Sequence, residues 1–444
     1  MRYTLALLML ANSLSPRMGT VCAQSIFNPD VQGTGATMGD YMIAVTGGGQ
    51  PGGPQYTYRM GRFEITNQQF CDFLNDAERD AQRAPRTRRS TNMFFGPHGS
   101  VYLDGNMSAN EPIFLSHNDV FTSDIRYDPL MPVGRRYSVI SDGFGSKAKH
   151  PVRHISWMGA MKFCNWLTID QGLGQEHCCY TEGPHIGNWH PITINTIDWW
   201  GKEPLHDDPY TAGRNPNDAE RTELVRRYRG YRLFMDDTGL LAPISRPDPK
   251  DFNEWLKAAA WDPNAPGTFR TNSGGWQAAP GHWMYGFGRE VNTGADANFY
   301  DSGDPWDNGP VPVDFYDGTD HGGTFATNAT ANRYGFYGMA GNVWEFSQDY
   351  GPGPRHCAIY GGSWVSSAEK QAASSVYVNA LITWADITFG MRLVQVGSPL
   401  EVKVFAGTPA AHDEFGRTVA ICGDCAVVGE IGRASCRERV SSVV

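Results

Sequence analysis

Residues 334–346 of this chain are Tyr-Gly-Phe-Tyr-Gly-Met-Ala-Gly-Asn-Val-Trp-Glu-Phe, and residues 360–364, Tyr-Gly-Gly-Ser-Trp, follow closely. The first stretch has three glycines, five aromatic residues and one acid, which does not make an amphipathic helix. Glycine permits positive φ angles and close backbone approach, and aromatic rings supply buried area. Such a loop keeps its shape by packing and by pairing its own carbonyl groups, often with a cation. Taken alone, the pattern also fits an aromatic-filled turn beneath a core.

Composition limits the classes of protein and partner. The chain has 444 residues, 41% hydrophobic and 19% charged, which is typical of a globular protein with a sizeable core. Its 51 glycines, 28 prolines and 13 tryptophans predict a loop-rich fold with many turns and few long helices. A net charge of −10 with no basic run argues against a nucleic-acid partner or an anionic membrane surface.

The first residues have the pattern of a signal peptide. Arg2 provides a positive start, residues 5–14 are largely apolar, and Val21, Cys22 and Ala23 offer a small-residue cleavage site. The apolar run is too short to cross a bilayer, and no later segment reaches that length. We therefore expect residues 1–23 to be a signal peptide, and the mature protein to be secreted, periplasmic or on the cell surface, without a membrane span.

Hydrophobic periodicity predicts about three helices among many short strands. Residues 56–65 alternate like a half-buried strand, and Thr66 then caps a short helix. Ser156 caps a second helix, and a third over residues 251–260 ends before Pro263. Residues 80–149 and 169–230 lack regular patterns and are predicted to be irregular surface excursions. Few helices, short strands and long loops indicate the α+β class.

The cysteines divide by their surroundings. Cys71 and Cys164 lie in apolar helical patterns, which favours buried free thiols. Cys178 and Cys179 follow His177, but adjacent strand residues point to opposite faces, so this triplet does not suit a single tetrahedral zinc site.

Motifs spread over residues 57–397 give the chain a family resemblance. The sequence resembles the formylglycine-generating enzyme (sulfatase-modifying factor) family at residues 61–67, 150–152, 156–157, 163–166, 253–255, 297–299, 334–346, 361–364 and 389–392. The resemblance implies an elaborated C-type-lectin-like α+β fold, loop-rich with short strands, over residues 24–397. One departure is that residues 231–233 are separated from the third helix by an insertion.

A second departure concerns the chemistry. The resemblance implies an oxidase that converts a protein cysteine to formylglycine with a copper-binding pair of cysteines, but those positions hold Ser366 and Gln371. Neither side chain is a thiolate ligand for Cu(I), and neither performs thiol–disulfide exchange. We therefore expect a non-catalytic domain that binds an unknown protein or carbohydrate ligand or serves as a scaffold, and no copper. The alternatives are an oxidase with a relocated thiol pair, or the family's iron-dependent sulfur–carbon bond formation, for which the attached helical domain is missing.

The family's calcium loops imply two sets of oxygen ligands here. In the first loop the resemblance assigns a side-chain oxygen, two backbone carbonyls and a carboxylate to Asn298, Phe299, Trp306 and Asp304. In the second loop it assigns two carbonyls and a carboxylate to Gly341, Val343 and Glu345, whereas the remaining ligand, Asn or Asp in relatives, is Gly338 here. Ca²⁺ prefers several oxygen ligands, which both loops provide. Without the resemblance, the first loop's aspartates would be expected in a solvated turn.

The last residues differ in character from the rest. Residues 398–429 resemble a truncated FG-GAP repeat of the kind that builds β-propellers, and they predict a hairpin of two apolar strands. One repeat cannot bury its own face, so more repeats are expected to follow in the natural protein. Residues 430–444 are rich in Arg and Ser and resemble a translated sequencing adapter, so we interpret them as a non-native tail.

Overall fold

The computed structural model describes most of the chain. The described residues are 25–103, 112–195, 214–236, 252–270, 276–306, 308–350 and 355–396, together with two strands at 418–422 and 425–429. The predicted signal peptide and the predicted non-native tail both lie outside this part of the chain. No helix among the described residues is long and apolar enough to cross a membrane.

Five α-helices lie in the described ranges: α1 Met38–Tyr41, α2 Asn67–Ala81, α3 Trp157–Asp170, α4 Asp218–Arg227 and α5 Glu254–Ala260. The three predicted helices correspond to α2, α3 and α5, and each begins where a polar side chain caps it. Thr66 Oγ1 accepts the Gln69 amide at 3.3 Å, and Ser156 Oγ accepts the Gly159 amide at 3.2 Å. The third helix begins at Glu254 rather than 251, because Asn253 provides its cap.

Helix α4 corrects the prediction that residues 169–230 are irregular. Asn217 and Glu220 form a reciprocal capping box, in which Asn217 Oδ1 accepts the Glu220 amide at 3.0 Å. Only Arg221 and Leu224 of this helix are buried. The helix was missed because its apolar face is so narrow, although the cap was visible in the sequence.

The strands are short and alternate with turns. In chain order they are β1 Met42–Val45, β2 Tyr58–Gly61, β3 Phe94–Phe95, β4 Val101–Tyr102, β5 Pro112–Phe114, β6 Ile125–Tyr127, β7 Tyr137–Val139, β8 Ser141–Asp142, β9 Gly145–Ser146, β10 Tyr231–Arg232, β11 Thr268–Arg270, β12 Trp276–Ala278, β13 Asp320–His321, β14 Phe325–Ala326, β15 Trp344–Tyr350, β16 His356–Tyr360, β17 Val376–Leu381, β18 Phe389–Gly390, β19 Val394–Val396, β20 Thr418–Cys422 and β21 Cys425–Gly429. The loop-rich α+β fold class is thereby confirmed.

Two four-stranded sheets hold the domain together. One has the strand order β1-β2-β19-β10 and joins the beginning of the domain to its end. The other has the order β17-β16-β15-β18, with β15 and β18 parallel and the remaining pairs antiparallel. Strand β15 continues directly from the segment at 334–346, so this sheet fixes the position of the central loops.

Residues 80–149 are not a surface excursion, which corrects the prediction. Met93, Val101, Ile113, Phe114 and Ile125 are fully buried in the same hydrophobic cluster as α2 and α3. Each apolar residue belongs to a two- or three-residue strand or an adjacent turn, a length at which periodicity carries no signal.

A buried ion pair joins residues 231–233, which precede the insertion, to the start of helix α5. Arg232 donates to both carboxylate oxygens of Glu254 at 2.7 Å, and neither side chain is accessible to solvent beyond 1%. The Glu254 amide donates to the Met235 carbonyl at 3.0 Å. The lead into α5 therefore keeps its place next to that helix despite the interruption in sequence.

The C-terminal segment forms the predicted hairpin. Strands β20 and β21 pair antiparallel, with Cys422 opposite Cys425 in the register.

Candidate functional site

The site begins in the loop after β16, at the positions that carry the thiol pair in the enzymes of the resembled family. Gly361 and Gly362 have φ angles of +94° and +78°, which turn the chain sharply under the sheet. Ser363 is fully buried, and its hydroxyl lies 3.0 Å from the Ser366 hydroxyl. The Ser366 hydroxyl also accepts the Ser363 amide at 3.2 Å. Ser366 is thus bound into the turn of its own loop.

Gln371 lies beneath the same loop and is fully buried. Its Nε2 donates to the Ser363 carbonyl at 3.1 Å, while its Oε1 has no hydrogen-bond partner among the described residues. A Cβ placed on Gly362 would lie 2.4 Å from that Oε1. The amide therefore fills the space below Gly362, so both family thiol positions are occupied by side chains that bind only the loop itself.

The cysteine thiols of the domain are not suited to react as thiolates. The five cysteines within residues 54–396, Cys71, Cys164, Cys178, Cys179 and Cys357, are all buried and free, which confirms the expectation for the first two. Burial raises the pKa of Cys71 to about 12, of Cys178 to about 11 and of Cys179 to about 12. Burial also raises the pKa of Cys164 and Cys357 well above the ordinary value. None of these thiols is poised to ionise near neutral pH.

Asn342 joins the central loops. It has a φ angle of +66°, and its amide donates to the Asn298 carbonyl at 2.9 Å. Its carbonyl accepts the Trp364 amide at 2.9 Å, and its side chain donates to Glu64 Oε1 at 3.1 Å. Asn342 therefore connects the first predicted calcium loop, the loop of Ser363 and the segment after β2 that contains Glu64.

The first predicted calcium loop places Asn298 and Asp304 in buried positions and leaves Phe299 and Trp306 half-buried. Asp304 accepts the Ser302 hydroxyl at 2.6 Å and the Trp306 amide at 2.7 Å, and it is 3% exposed rather than solvated. The Phe299 carbonyl accepts the Ser302 amide, and Asn298 Nδ2 donates to the Gly309 carbonyl at 3.0 Å.

The atoms that would bind the ion are carboxylate, amide and backbone carbonyl oxygens, which are the ligands that Ca²⁺ prefers. The residues of the first loop therefore fit the ion chemically. The described residues contain no group of three or more His, Cys, Asp or Glu side chains placed to hold a metal, so carbonyls would have to supply much of the coordination. Calcium in this loop stays a prediction.

The second predicted calcium loop is arranged differently from the expectation. Gly341 and Val343 lie in the turn before β15, but the Glu345 carboxylate is directed at Arg392 and Trp255. Arg392 donates to Glu345 Oε1 at 2.7 Å through Nη2 and to both oxygens at 3.0 Å through Nε. Trp255 Nε1 donates to Oε2 at 2.8 Å. Four short hydrogen bonds thus hold the carboxylate that the family resemblance assigned to calcium, and the second loop fits the ion less well than the first.

A second buried carboxylate lies on the same guanidinium. Glu64 Oε2 is 3.5 Å from Arg392 Nη2, and both side chains are inaccessible to solvent. Burial, with the Glu345 charge adding to it, raises the pKa of Glu64 to about 7 against the attraction of Arg392. Its carboxylate occupies the space beside Gly338, where an added Cβ would lie 2.3 Å from Glu64 Oε2. The sequence motifs contained Glu64 and Arg392, but nothing local indicated that they pair.

Loops that carry exposed apolar residues are joined to the loop of Ser363 by hydrogen bonds, either directly or through a neighbouring loop. The Tyr300 amide donates to the Ser366 carbonyl at 2.9 Å, and Trp364 Nε1 donates to the Ile387 carbonyl at 3.4 Å. His154 is hydrogen-bonded to both Thr122 and the Ala385 carbonyl. These contacts place four loops side by side, and we call their exposed apolar residues the aromatic face: Phe121 (91% exposed), Tyr300 (69%), Trp384 (45%), Val365 (42%) and the half-buried Trp364.

Several aromatic residues of the predicted excursions belong to the core, whereas Phe144 is 64% exposed. Tyr180 and Trp189 are fully buried, as is Phe114. The aromatic face draws mainly on residues outside those segments, and of these residues the sequence motifs contained only Trp364.

Comparison with solved structures gives distant likenesses. Treponema denticola variable protein 1 is 17% identical with a TM-score of 0.37, and the alignment covers 80% of this chain and 95% of that one. A crystal structure of CarF is 16% identical with a TM-score of 0.38, covering 80% and 98%. PvdO from Pseudomonas aeruginosa is 13% identical with a TM-score of 0.33, covering 80% and 91%. No curated protein matches the chain.

Family models match nearly the whole length of the chain beyond its first residues. An FG-GAP repeat matches residues 400–440, which includes the predicted hairpin and runs past Gly429 into the tail that we interpreted as non-native. The origin of that tail stays a prediction. The Sulfatase-modifying factor enzyme 1-like domain matches residues 54–396, which agrees with the motifs, the loops and the sheets described above. The chain therefore belongs to the family of the Sulfatase-modifying factor enzyme 1-like domain and carries an FG-GAP repeat after it.

Proposed function

We propose that this chain is an exported, non-catalytic member of its family that binds a protein or carbohydrate ligand or serves as a scaffold. The observation that carries the proposal is the pair Ser366 and Gln371, which stand where the family's oxidases have their two cysteines. Both side chains make hydrogen bonds within their own loop.

The chemistry of these two side chains supports the loss of oxidase activity. Cu(I) prefers soft thiolate and thioether ligands, whereas a hydroxyl and an amide offer only hard oxygen and nitrogen atoms. A serine hydroxyl also does not ionise near neutral pH, so it cannot replace a thiolate in disulfide exchange.

The aromatic face supports a binding role. Exposed aromatic residues that are close together mark interaction surfaces more often than single exposed residues do. Tyrosine and tryptophan supply large contact areas at low cost in conformational entropy. Tyr300 and Trp384 stand on loops that are hydrogen-bonded to the buried scaffold, so the surface is held in shape before a ligand arrives.

The alternative function is the formylglycine-generating oxidation with a relocated thiol pair. It would need two thiols close to Ser363 and able to ionise. The raised pKa values of the five cysteines within residues 54–396 weigh against this alternative.

Copper affinity tests the non-catalytic part of the proposal. The purified chain is titrated with Cu(I) against a chromogenic chelator under anaerobic conditions. We expect the chelator to keep the copper once Cys422 and Cys425, which lie opposite each other in the hairpin, are both replaced by Ser, since the five cysteines of residues 54–396 are buried thiols with raised pKa values. Stoichiometric transfer of one copper to the protein would revive the oxidase.

Ligand binding at the aromatic face is tested on an array of glycans and soluble polysaccharides. We expect Trp384→Ala and Tyr300→Ala to remove any signal that the wild type gives, without changing the melting temperature. Phe144→Ala is the matched control, because Phe144 is 64% exposed but outside the aromatic face. Equal loss of the signal in all three variants would contradict a specific surface. If the wild type gives no signal, a protein ligand is the remaining possibility. A cross-linking pull-down that compares the wild type with Trp384→Ala then tests it.

Export is tested by mass spectrometry of the protein recovered outside the cytoplasm of a bacterial host. We expect an N-terminus at Gln24, which follows the small-residue site at Ala23. Full-length protein retained in the cytoplasm would contradict export.

A further inference from the structure

A cavity of about 250 Å³ lies between the ends of α2 and α3. All of its lining residues come from residues 26–170, and none belongs to the loop of Ser363. Its walls are charged, with one apolar residue, and consist of Ile26, Asp76, Arg79, Asp80, Arg83, Arg89 and Asp170. The volume suits a small organic molecule, and nothing in the family match or in the proposed function uses it.

Two of the three aspartates are already paired. Asp170 accepts the amides of Ile26 and Phe27 at 3.0 Å, and its side chain is 1% exposed. Asp76 accepts Arg89 Nη1 at 2.5 Å and Trp166 Nε1 at 2.9 Å. These two carboxylates therefore build the wall and leave little capacity for a ligand.

Asp80 is different, because one of its oxygens lacks a hydrogen bond. Its Oδ2 accepts the Ser90 hydroxyl at 2.7 Å and the Thr87 amide at 3.0 Å, whereas Oδ1 has no hydrogen-bond partner in the described part of the chain. The side chain is 2% exposed, and the nearest cation is Arg83 Nη1 at 3.7 Å, beyond hydrogen-bond distance. Asp80 lines the cavity, but its Oδ1 is inaccessible to solvent, so a ligand reaches this oxygen by displacing Arg83. A buried carboxylate oxygen without a hydrogen bond favours a donor, preferably a charged one.

The helix ends add to this preference for a cation. Helix α2 ends at Ala81 and α3 ends at Asp170, so the carbonyl ends of both helices face the cavity region. The negative ends of two helix dipoles favour a positive group there.

The rim has the opposite character. Arg79 lies in the last turn of α2 and Arg83 two residues after its end at Ala81, and both line the cavity with side chains that are 52% and 64% exposed. Arg79 Nη1 also lies 3.4 Å from Asp76 Oδ1. Their guanidinium groups are the outermost charges of the cavity. A ligand with a cation inside and an anion outside would satisfy both ends.

We propose that this cavity binds a small zwitterion of the α-amino acid class, with its ammonium group on Asp80 Oδ1 and its carboxylate on Arg79 and Arg83. The ammonium replaces the loose contact of Arg83 with Asp80, which frees Arg83 to bind the carboxylate. The site lies apart from the aromatic face and does not depend on the function proposed there.

The experiment is calorimetric titration of the full chain with glycine, L-alanine, L-glutamate and L-lysine, with methylammonium and acetate as single-charge probes. We expect at least one amino acid to bind about tenfold more tightly than either single-charge probe, because only the zwitterion engages both ends. Failure of all four amino acids to bind, or equal weak binding of all probes, would overturn the proposal.

Variants locate the binding. Arg83→Gln removes a mostly exposed charge without touching the core, and we expect it to weaken amino acid binding about tenfold at an unchanged melting temperature. Asp80→Asn should weaken it further, and Arg226→Gln, whose side chain is 72% exposed on α4, is the matched control and should bind like the wild type. Equal affinities of Arg83→Gln and Arg226→Gln would contradict the proposed site even if the wild type binds an amino acid.

Discussion

At the scale of single residues, the central group is Arg392, a buried cation that pairs with two buried carboxylates. It donates to Glu345 and to the carbonyls of Gly61, Arg62 and Tyr337, all within 3.0 Å, and it faces Glu64 as well. One guanidinium thus compensates two carboxylates away from water. Such an arrangement tolerates the loss of a carboxylate's charge better than the loss of the guanidinium.

Arg392→Gln should therefore destabilise the fold strongly. The substitution leaves Glu345 without its cation and three carbonyls without their donor, and we expect a loss of about 3–5 kcal/mol in the free energy of unfolding. Urea denaturation measures it, with Arg226→Gln as the exposed control that should stay within about 0.5 kcal/mol of the wild type. Similar midpoints for the two variants would show that the Arg392 network contributes little.

Glu64 gives the domain a pH-dependent stability. The pKa of Glu64 is about 7 in the folded chain and 4.5 ordinarily, so between these pH values the folded state holds a proton that the unfolded state has lost. Stability linked to Glu64 is therefore present at low pH and decreases as the pH rises from 4.5 to 7.

Glu64→Gln should remove that decrease. We expect the variant to gain about 1–3 kcal/mol in unfolding free energy relative to the wild type between the lower and the upper end of this range. Denaturation at both pH values measures the gain, and Glu223→Gln on α4 is the control. A variant with the wild-type pH profile would show that folding does not raise the pKa of Glu64. The histidines with lowered pKa values, such as His150 and His154, titrate equally in both proteins and cancel.

Much of the residue-level site was present in the sequence, but its pairings were not. The motifs named Glu345, Asn342 and Ser366 by position. The partners of Glu345 are Trp255 and Arg392, 90 and 47 residues away along the chain, and no local pattern encodes a contact at that separation. The assignment of the Glu345 carboxylate to calcium did not consider that Arg392 competes with a calcium ion for this carboxylate.

At the scale of elements, the turn at Gly361 and Gly362 decides whether the loop of Ser363 forms. Gly362→Ala would place a Cβ 2.4 Å from Gln371 Oε1 and 2.7 Å from the Lys370 carbonyl. Gly172→Ala is a matched control with a φ angle of +74° and no atom within 4 Å of the new Cβ. We expect Gly362→Ala to cost about 1–3 kcal/mol more than Gly172→Ala in chemical denaturation. Equal costs would mean that Gln371 moves aside freely.

The first calcium loop makes a separate prediction. If Asp304 binds Ca²⁺, a chelator lowers the melting temperature of the wild type and added calcium restores it, because a ligand that binds only the folded state stabilises it. Asp304→Asn should lose this response, while Asp301→Asn, an exposed neighbour at a φ angle of +63° that Asn tolerates, should keep it. An unchanged wild-type melting curve under chelation would remove the calcium assignment.

The elements that sequence could predict are those with a cap and a wide apolar face. Helices α2 and α3 have both, and their starting residues were predicted correctly. Helix α4 has a cap but only two buried residues, and the strands within 80–149 are two or three residues long, so both escaped periodicity. Their positions depend on tertiary packing against α2 and α3.

At the scale of the whole molecule, we propose that the chain keeps the family scaffold without the family chemistry. The chain matches the family domain over residues 54–396, whereas Ser366 and Gln371 stand at the positions where the resemblance implies a reactive cysteine pair. Fold alone does not determine function, because function depends on the groups placed in the site. The proposed loss of oxidase chemistry therefore depends on two side chains, Ser366 and Gln371, in a domain that otherwise matches its family.

The most direct test is turnover by the copper-loaded protein. The full chain is incubated with Cu(I), oxygen and a cysteine-containing peptide with the sulfatase motif, and aldehyde is measured by hydrazide capture and mass spectrometry, with an active family oxidase as the positive control. We expect no aldehyde above the level of a protein-free reaction. Catalytic formation of formylglycine by this chain would contradict the central claim.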